Sequence, residues 1–303
     1  MPGLTPALKG PLHAGPFSLW QDQAGGTRGA TLMRHTTRHH TARPMKCDFF
    51  SLSDAGRVRP NNEDAVAVVP QSGLAILADG MGGYNAGEVA SAMATRIISQ
   101  SLAPRLQAGM VNTRDIRQWL VQSVEAANLA IYEASLADPA YRGMGTTLVV
   151  AVFNGARLTV AHAGDSRLYR LRQGQLTPLT RDHSLLQEQI DAGLVPPELA
   201  RTAQYKNLVT RAVGVESYVD LALADHVVQP GDTYLLCSDG LNDMLTDAQM
   251  AAILRRERAM ATAGHALVDA ANAAGGRDNI SLVLVQCSPD PAREVSPSRP
   301  VPL

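Results

Sequence analysis

The sequence predicts an α+β fold in which antiparallel sheets lie beneath paired helices. Three observations carry this expectation. The strand-like segments are short aliphatic runs, the helix-like segments come two at a time, and one stretch reads as a hairpin. A parallel doubly wound sheet would alternate strand and helix throughout, and this order does not.

Along the chain, residues 49–53, 65–69 and 74–78 read as strands, each aliphatic and bounded by turn residues. Residues 86–106 and 113–137 read as helices. The second begins at an Asn112 cap and repeats apolar residues at Ile116, Leu120, Val124 and Ile131. The run from Thr146 to Leu176 reads as a hairpin whose loop is Asn154 and Gly155, a pair suited to a type I′ turn. Strands follow at 221–228, 233–237 and 280–286, with helices at 246–257 and 261–273 between the last two. No internal repeat is evident.

Residues 1–45 form a basic extension without periodicity, expected to be disordered. His13, His35, His39 and His40 lie in it without a closed set of metal ligands. No apolar core of a signal peptide is present, and Met45 is an alternative natural start. The proline-rich stretch 288–303 reads as a second disordered tail, leaving 46–287 as the folded domain. Hydrophobic residues make up 45% of the 303, ample for one large core. Net charge is −1 and aromatics are 4%, which removes any general case for nucleic acid. No apolar run approaches the roughly 18 residues of a membrane span. Cys47, Cys237 and Cys287 show no metal spacing and are expected as buried free thiols in a reducing cytoplasm.

Acidic residues mark the strand ends. Asp79 closes "LAILAD", Asp239 closes "TYLLCSD", Asp165 follows "LTVAHAG", Asp278 precedes "NISLVLV", and Glu63 and Asp64 precede a further strand. A single Asp–Gly pair is an ordinary turn signal. Several such acids, however, can converge on one rim of a sandwich. There they repel one another, and cations between them or raised pKa values relieve the conflict. Oxygen donors select magnesium, manganese or calcium over zinc. Arg59 either pairs with these acids or grips a phosphate. The glycines after Asp79 fit neither nucleotide-binding pattern, and no lysine follows them.

In order and spacing, "RPNNED", "ADGMGG", "GMGTT", "GDSRLY", "CSDG" and "GRDNIS" resemble the metal-dependent protein serine/threonine phosphatases of the type 2C or PPM class, in their bacterial branch. The resemblance covers essentially all of 46–287. It implies a four-layer α/β/β/α sandwich, with two central antiparallel sheets flanked by helix pairs. It also implies two manganese or magnesium ions, and a third, weaker one in many bacterial members. By the same resemblance Asp79 bridges the two ions, the Gly80 carbonyl binds the first, and Asp239 and Asp278 bind the second. Glu63 and Asp64 order metal-bound waters, Arg59 holds the substrate phosphate, and Asp165 with Asp239 makes the third-ion site. Asn279 supports Asp278. The implied reaction is direct attack on phosphorus by a hydroxide between the ions. Phosphorylated proteins and a cognate serine/threonine kinase are the implied partners of a cytoplasmic monomer. Met81 stands where some members have a histidine acid, which leaves the proton donor unassigned; His162 reads as a core or rim histidine. Residues 181–214, including Pro196 and Pro197, match the variable flap where specificity is expected. A non-catalytic phosphoprotein-binding module and a small-molecule phosphomonoesterase are the rival functions.

Overall fold

A computed structural model describes residues 45–83, 85–108, 111–196 and 208–290. The chain begins with β1 (Met45–Asp54), β2 (Asp64–Val69) and β3 (Leu74–Met81), then α1 (Ala86–Gln107) and α2 (Thr113–Ala137). A short β4 (Gly145–Thr146) precedes β5 (Leu148–Asn154), β6 (Arg157–Ala163), β7 (Arg167–Arg172) and β8 (Gln175–Pro178). Next come α3 (Leu185–Asp191), β9 (Ala222–Val227), β10 (Thr233–Cys237) and the single turn α4 (Asp239–Asn242). The chain closes with α5 (Asp247–Arg256), α6 (Met260–Ala273) and β11 (Ile280–Pro289).

These strands form two antiparallel sheets. One has five strands in the order β1-β11-β10-β7-β8, and the other runs β2-β3-β5-β6-β9 with β4 attached to β3. Alternation along each strand divides the apolar residues between two interfaces. In β3, Leu74, Ile76 and Ala78 face α1 and α2, while Ala75 and Leu77 face the other sheet. In β11, Ile280, Leu282 and Leu284 pack beneath α5 and α6, while Val283 and Val285 fill the space between the sheets. The result is the expected four-layer α/β/β/α sandwich. Strands buried on both faces read as unbroken apolar runs, which is why the sequence shows them so plainly.

Local chemistry sets the helix ends. Asn112 accepts from Asp115 N at the start of α2, and Thr246 with Gln249 makes a capping box on α5. α6 has no side-chain cap but is held by close packing: a Cβ on Gly264 would stand 2.4 Å from Phe50 Cε1. No helix among the described residues is long and apolar enough to cross a membrane.

Three details differ from expectation. The first hairpin pairs Asn154 with Arg157, so its loop is Gly155 and Ala156. Only Gly155 of the two has positive φ, +58°, and glycine at the first loop position suits a type II′ turn. Positive φ at both loop residues occurs instead at Gln173 (50°) and Gly174 (81°), between β7 and β8. Second, the folded strands run from Met45 to Pro289, slightly past the expected limits; residues 1–44 and 291–303 and Pro197 lie outside the described residues. Third, Cys47 and Cys287 are not free thiols but a disulfide, with Cα atoms 4.2 Å apart. They are direct partners in the β1–β11 register, a proximity hidden by a separation of 240 residues. Cys237 is a buried free thiol, and burial pushes its pKa up to about 12.

Leu77 is fully buried between the sheets. Leu77→Ala is expected to cost about 2–5 kcal/mol in denaturant unfolding. A loss below about 1 kcal/mol would contradict a tightly packed inter-sheet core.

Candidate active site

β2 and β3 pair so that Asp64 stands opposite Asp79 at the rim of the sandwich. The backbone around Asp79 is fixed from β4 and the start of β5. Thr147 N donates to Asp79 O at 2.8 Å, Asp79 N donates to Thr147 Oγ1 at 3.1 Å, and Thr146 Oγ1 donates to Asp79 O at 2.9 Å. Gly80 N donates to Glu63 O at 3.1 Å, and Ser91 Oγ of α1 donates to the same oxygen at 2.6 Å. Gly80 has to be glycine because α1 comes so near: a Cβ there would lie 2.1 Å from Gly87 O.

On the facing sheet, Asp239 follows β10 as the first residue of α4. Asn279, at the entry to β11, joins the loop before β2 to this sheet. Its Oδ1 accepts from Glu63 N at 2.8 Å, and its Nδ2 donates to Asn61 O at 2.8 Å and Ala55 O at 3.1 Å. Its own N–H donates to Asp278 Oδ1 at 2.9 Å. Arg59 Nη2 reaches the other oxygen, Asp278 Oδ2, at 2.7 Å. Ser238 Oγ donates to Asp64 Oδ2 at 2.8 Å and accepts from Ser281 N at 3.0 Å. Asp165 arrives where the chain leaves β6 for β7 in the other sheet, through Gly164 at φ +105°.

All the expected site residues except Asp64 line one cavity of about 220 Å3. Arg59, Glu63, Asp79 and Gly80 come from one sheet and the loop before it. Asp165, Asp239, Asp278 and Asn279 come from the crossover and the facing sheet. Asp64 stands opposite Asp79 in the strand register and is held by Ser238. Met81, Gly82, Thr147 and Val209 complete the lining. His162 stands apart: it is buried, its Nε2 lies 2.9 Å from Arg181 O, and its ring stacks on His183 at 4.5 Å. Burial lowers its pKa.

Charge is concentrated here. Burial first, and then the charges of Asp64, Asp239, Asp165 and Asp278, hold the Asp79 carboxyl well above the usual range. Asp239 is raised in the same way, by burial and then by Asp165, Asp243, Asp278 and Asp64. Burial also lifts Asp64 and Asp165 to about 6. The hydrogen bond to Asp278 raises the Arg59 pKa. One oxygen of Asp64, Oδ1, is buried without a hydrogen-bond partner. Crowded acids with an orphaned buried oxygen fit positive charge among them, and an oxygen-only set fits hard divalent cations. Among the described residues no three His, Cys, Asp or Glu close into a ready-made cage.

Sequence reasoning passed over three residues of this site. Thr147 lies within "GMGTT" and Ser238 within "CSDG", and both hold an aspartate in place. Asp243 raises Asp239 from four residues along, one turn away on α4, and that spacing was the available signal.

The sequence profile of the family described as Protein phosphatase 2C matches residues 57–275. The chain is 38% identical over 237 residues to the serine/threonine phosphatase stp of Listeria monocytogenes serotype 4b, covering 77% of this chain and 93% of that protein. In structure it resembles the S. agalactiae serine/threonine phosphatase, with TM-score 0.74 and 36% identity over 79% of this chain and 99% of the other. It also resembles the catalytic domain of the serine/threonine protein phosphatase PstP in complex with two manganese ions, with TM-score 0.72 and 36% identity over 80% of this chain and 99% of the other. With six ordered motifs, the layered sandwich and an acid-lined rim cavity all in agreement, the chain belongs to the protein phosphatase 2C family.

Proposed function

We propose that this chain is a metal-dependent phosphatase that hydrolyses phosphoserine and phosphothreonine in proteins. The observation that carries this reading is the convergence of Asp79, Asp239, Asp278 and Asp165, with Arg59, on one cavity. The phosphatase relatives support it. The cofactor is a pair of divalent ions, manganese or magnesium. Asp79, the Gly80 carbonyl, Asp239 and Asp278 would hold them. Asp165 with Asp239 would hold a third, weaker ion. When bound, the ions supply a water of lowered pKa and positive charge for the phosphoryl oxygens.

The chain's own residues orient the rest. Arg59 carries five N–H donors in a planar fork and uses one nitrogen for Asp278, so a phosphate can share the guanidinium. Asn279 keeps Asp278 and Glu63 in register with each other, through one hydrogen bond to each. Glu63 lines the cavity and Asp64 stands opposite Asp79, and the two would order water there. Met81 has no proton to give, so the leaving alcohol takes its proton from water. Cytoplasmic location, a monomeric state and an opposing serine/threonine kinase complete the reading.

Turnover of p-nitrophenyl phosphate is expected to require added manganese or magnesium, and Asp239→Asn should lower it by orders of magnitude. Turnover that survives chelation would overturn the metal-dependent reading. Manganese should also raise the melting temperature of the wild-type protein, as any ligand specific to the folded state does. Asp79→Asn should abolish that shift. Arg59→Ala is expected to raise KM by about tenfold or more, the worth of a charge-assisted hydrogen bond, while keeping the manganese-induced shift. Losing the shift instead would mark Arg59 as a support for Asp278. A phosphoproteome comparison of cells with and without the active protein separates protein substrates from small molecules.

A further inference from the structure

A second cavity of about 360 Å3 adjoins the acid-lined one, and the two share Met81 and Val209 as walls. Its remaining wall lies within residues 210–220, and that segment is anchored to the strand bearing Asp79. Thr146 and Val213 exchange both backbone hydrogen bonds, at 2.9 and 2.8 Å, while Thr146 pairs with Gly80 across β3 and β4. Gly214 N donates to Asn128 Oδ1 of α2 at 2.7 Å. Its φ is +91°, and a Cβ there would lie 2.1 Å from Ile131 Cγ2. Val215 Cγ2 stands 2.5 Å from where a Cβ of Gly145 would be, so the second glycine of "GMGTT" seats this wall. The cavity is thus pre-formed beside the site.

Its lining has a definite chemistry. Val215 and Tyr218, 47% and 69% exposed, present side-chain surface on this wall that a ligand group could cover. Arg211 Nη1 is matched by Asp220 Oδ2 at 2.8 Å, and Glu216 adds a second acid to the same wall. The balance of one arginine against two acids repels negative charge.

We propose that this cavity is a substrate subsite. It takes an apolar side chain one or two residues from the phosphorylated residue and rejects an acidic one. An extended peptide advances about 3.3 Å per residue, so a neighbouring side chain reaches over the shared wall. The assignment rests on the phosphatase function proposed above, because a phosphate seated on the acids is what brings flanking residues here.

The test uses phosphopeptides that differ only by leucine, glycine, lysine or aspartate at one position, from two before to two after the phosphoserine. Phosphate release gives kcat/KM for the wild type, Tyr218→Ala and Val215→Asp, with p-nitrophenyl phosphate as a substrate too small to reach the subsite. At one position leucine should exceed aspartate by about tenfold or more. Both variants should bring that ratio near one while leaving p-nitrophenyl phosphate turnover unchanged. Equal turnover of the four peptides overturns the proposal. So does a preference for lysine, which would give the surface to Glu216, or a uniform loss on every substrate, which would make the wall structural. If the wild type hydrolyses nothing, the phosphatase reading fails. Fluorescence polarisation of labelled leucine and aspartate phosphopeptides then decides the subsite independently: tighter leucine binding that Tyr218→Ala abolishes supports it, and equal binding overturns it.

Discussion

Asp64 and Asp79 face each other across β2 and β3, and Asp165, Asp239 and Asp278 are close enough that their charges raise the Asp79 pKa. Removing that many carboxylates from water costs several kcal/mol for each one left ionised and uncompensated. The surroundings keep this arrangement from relaxing outward. Gly80 and Gly87 let the start of α1 lie on the strand end, and Gly240 allows the α4 turn to touch the backbone of Asn279. Thr147, Ser238 and Asn279 spend their hydrogen bonds on the acidic segments. Rigidity at the rim therefore serves to hold repelling groups at a fixed spacing, the condition that divalent cations require.

The layered core makes such spacing possible. Every central strand is buried on both faces, so its side chains cannot shift without opening one of two packed interfaces. The strand ends inherit that order. Chain crossings do the remaining work: β6 and β7 belong to different sheets, and the link between them delivers Asp165 to the shared rim. One short pairing, β3 with β4, then carries the geometry of Asp79 outward to Val213 and the neighbouring cavity.

Much of this was legible in the residues, for identifiable reasons. The apolar runs at 74–78 and 280–286 announced buried strands, and the Asn112 cap placed the start of α2. The acids were visible because each sits where an apolar run stops. Register was not visible. Nothing local says that Cys47 stands opposite Cys287, or that the turn after β5 begins at Gly155 rather than Asn154. Pairing is decided by contacts between distant segments, and a shift of one residue leaves the composition of a loop almost unchanged. That Asp64 stands directly opposite Asp79 was hidden for the same reason, since the pairing of β2 with β3 decides it.

The position of β11 has a consequence for how the protein comes into being. It is the last of the described strands in the chain, yet it lies inside its sheet, between β1 and β10. While the ribosome is still adding residues 280–289, β1 has been waiting since the earliest part of the domain for the neighbour that pairs with it over its full length. A nascent chain can assemble the other sheet with its helices, but the five-stranded one stays divided until residues 280–289 have been added. Asp278 and Asn279 enter with that same final segment. The acid-lined centre and the closing of the five-stranded sheet are thus one event in time, and a chain that stops short of β11 has neither.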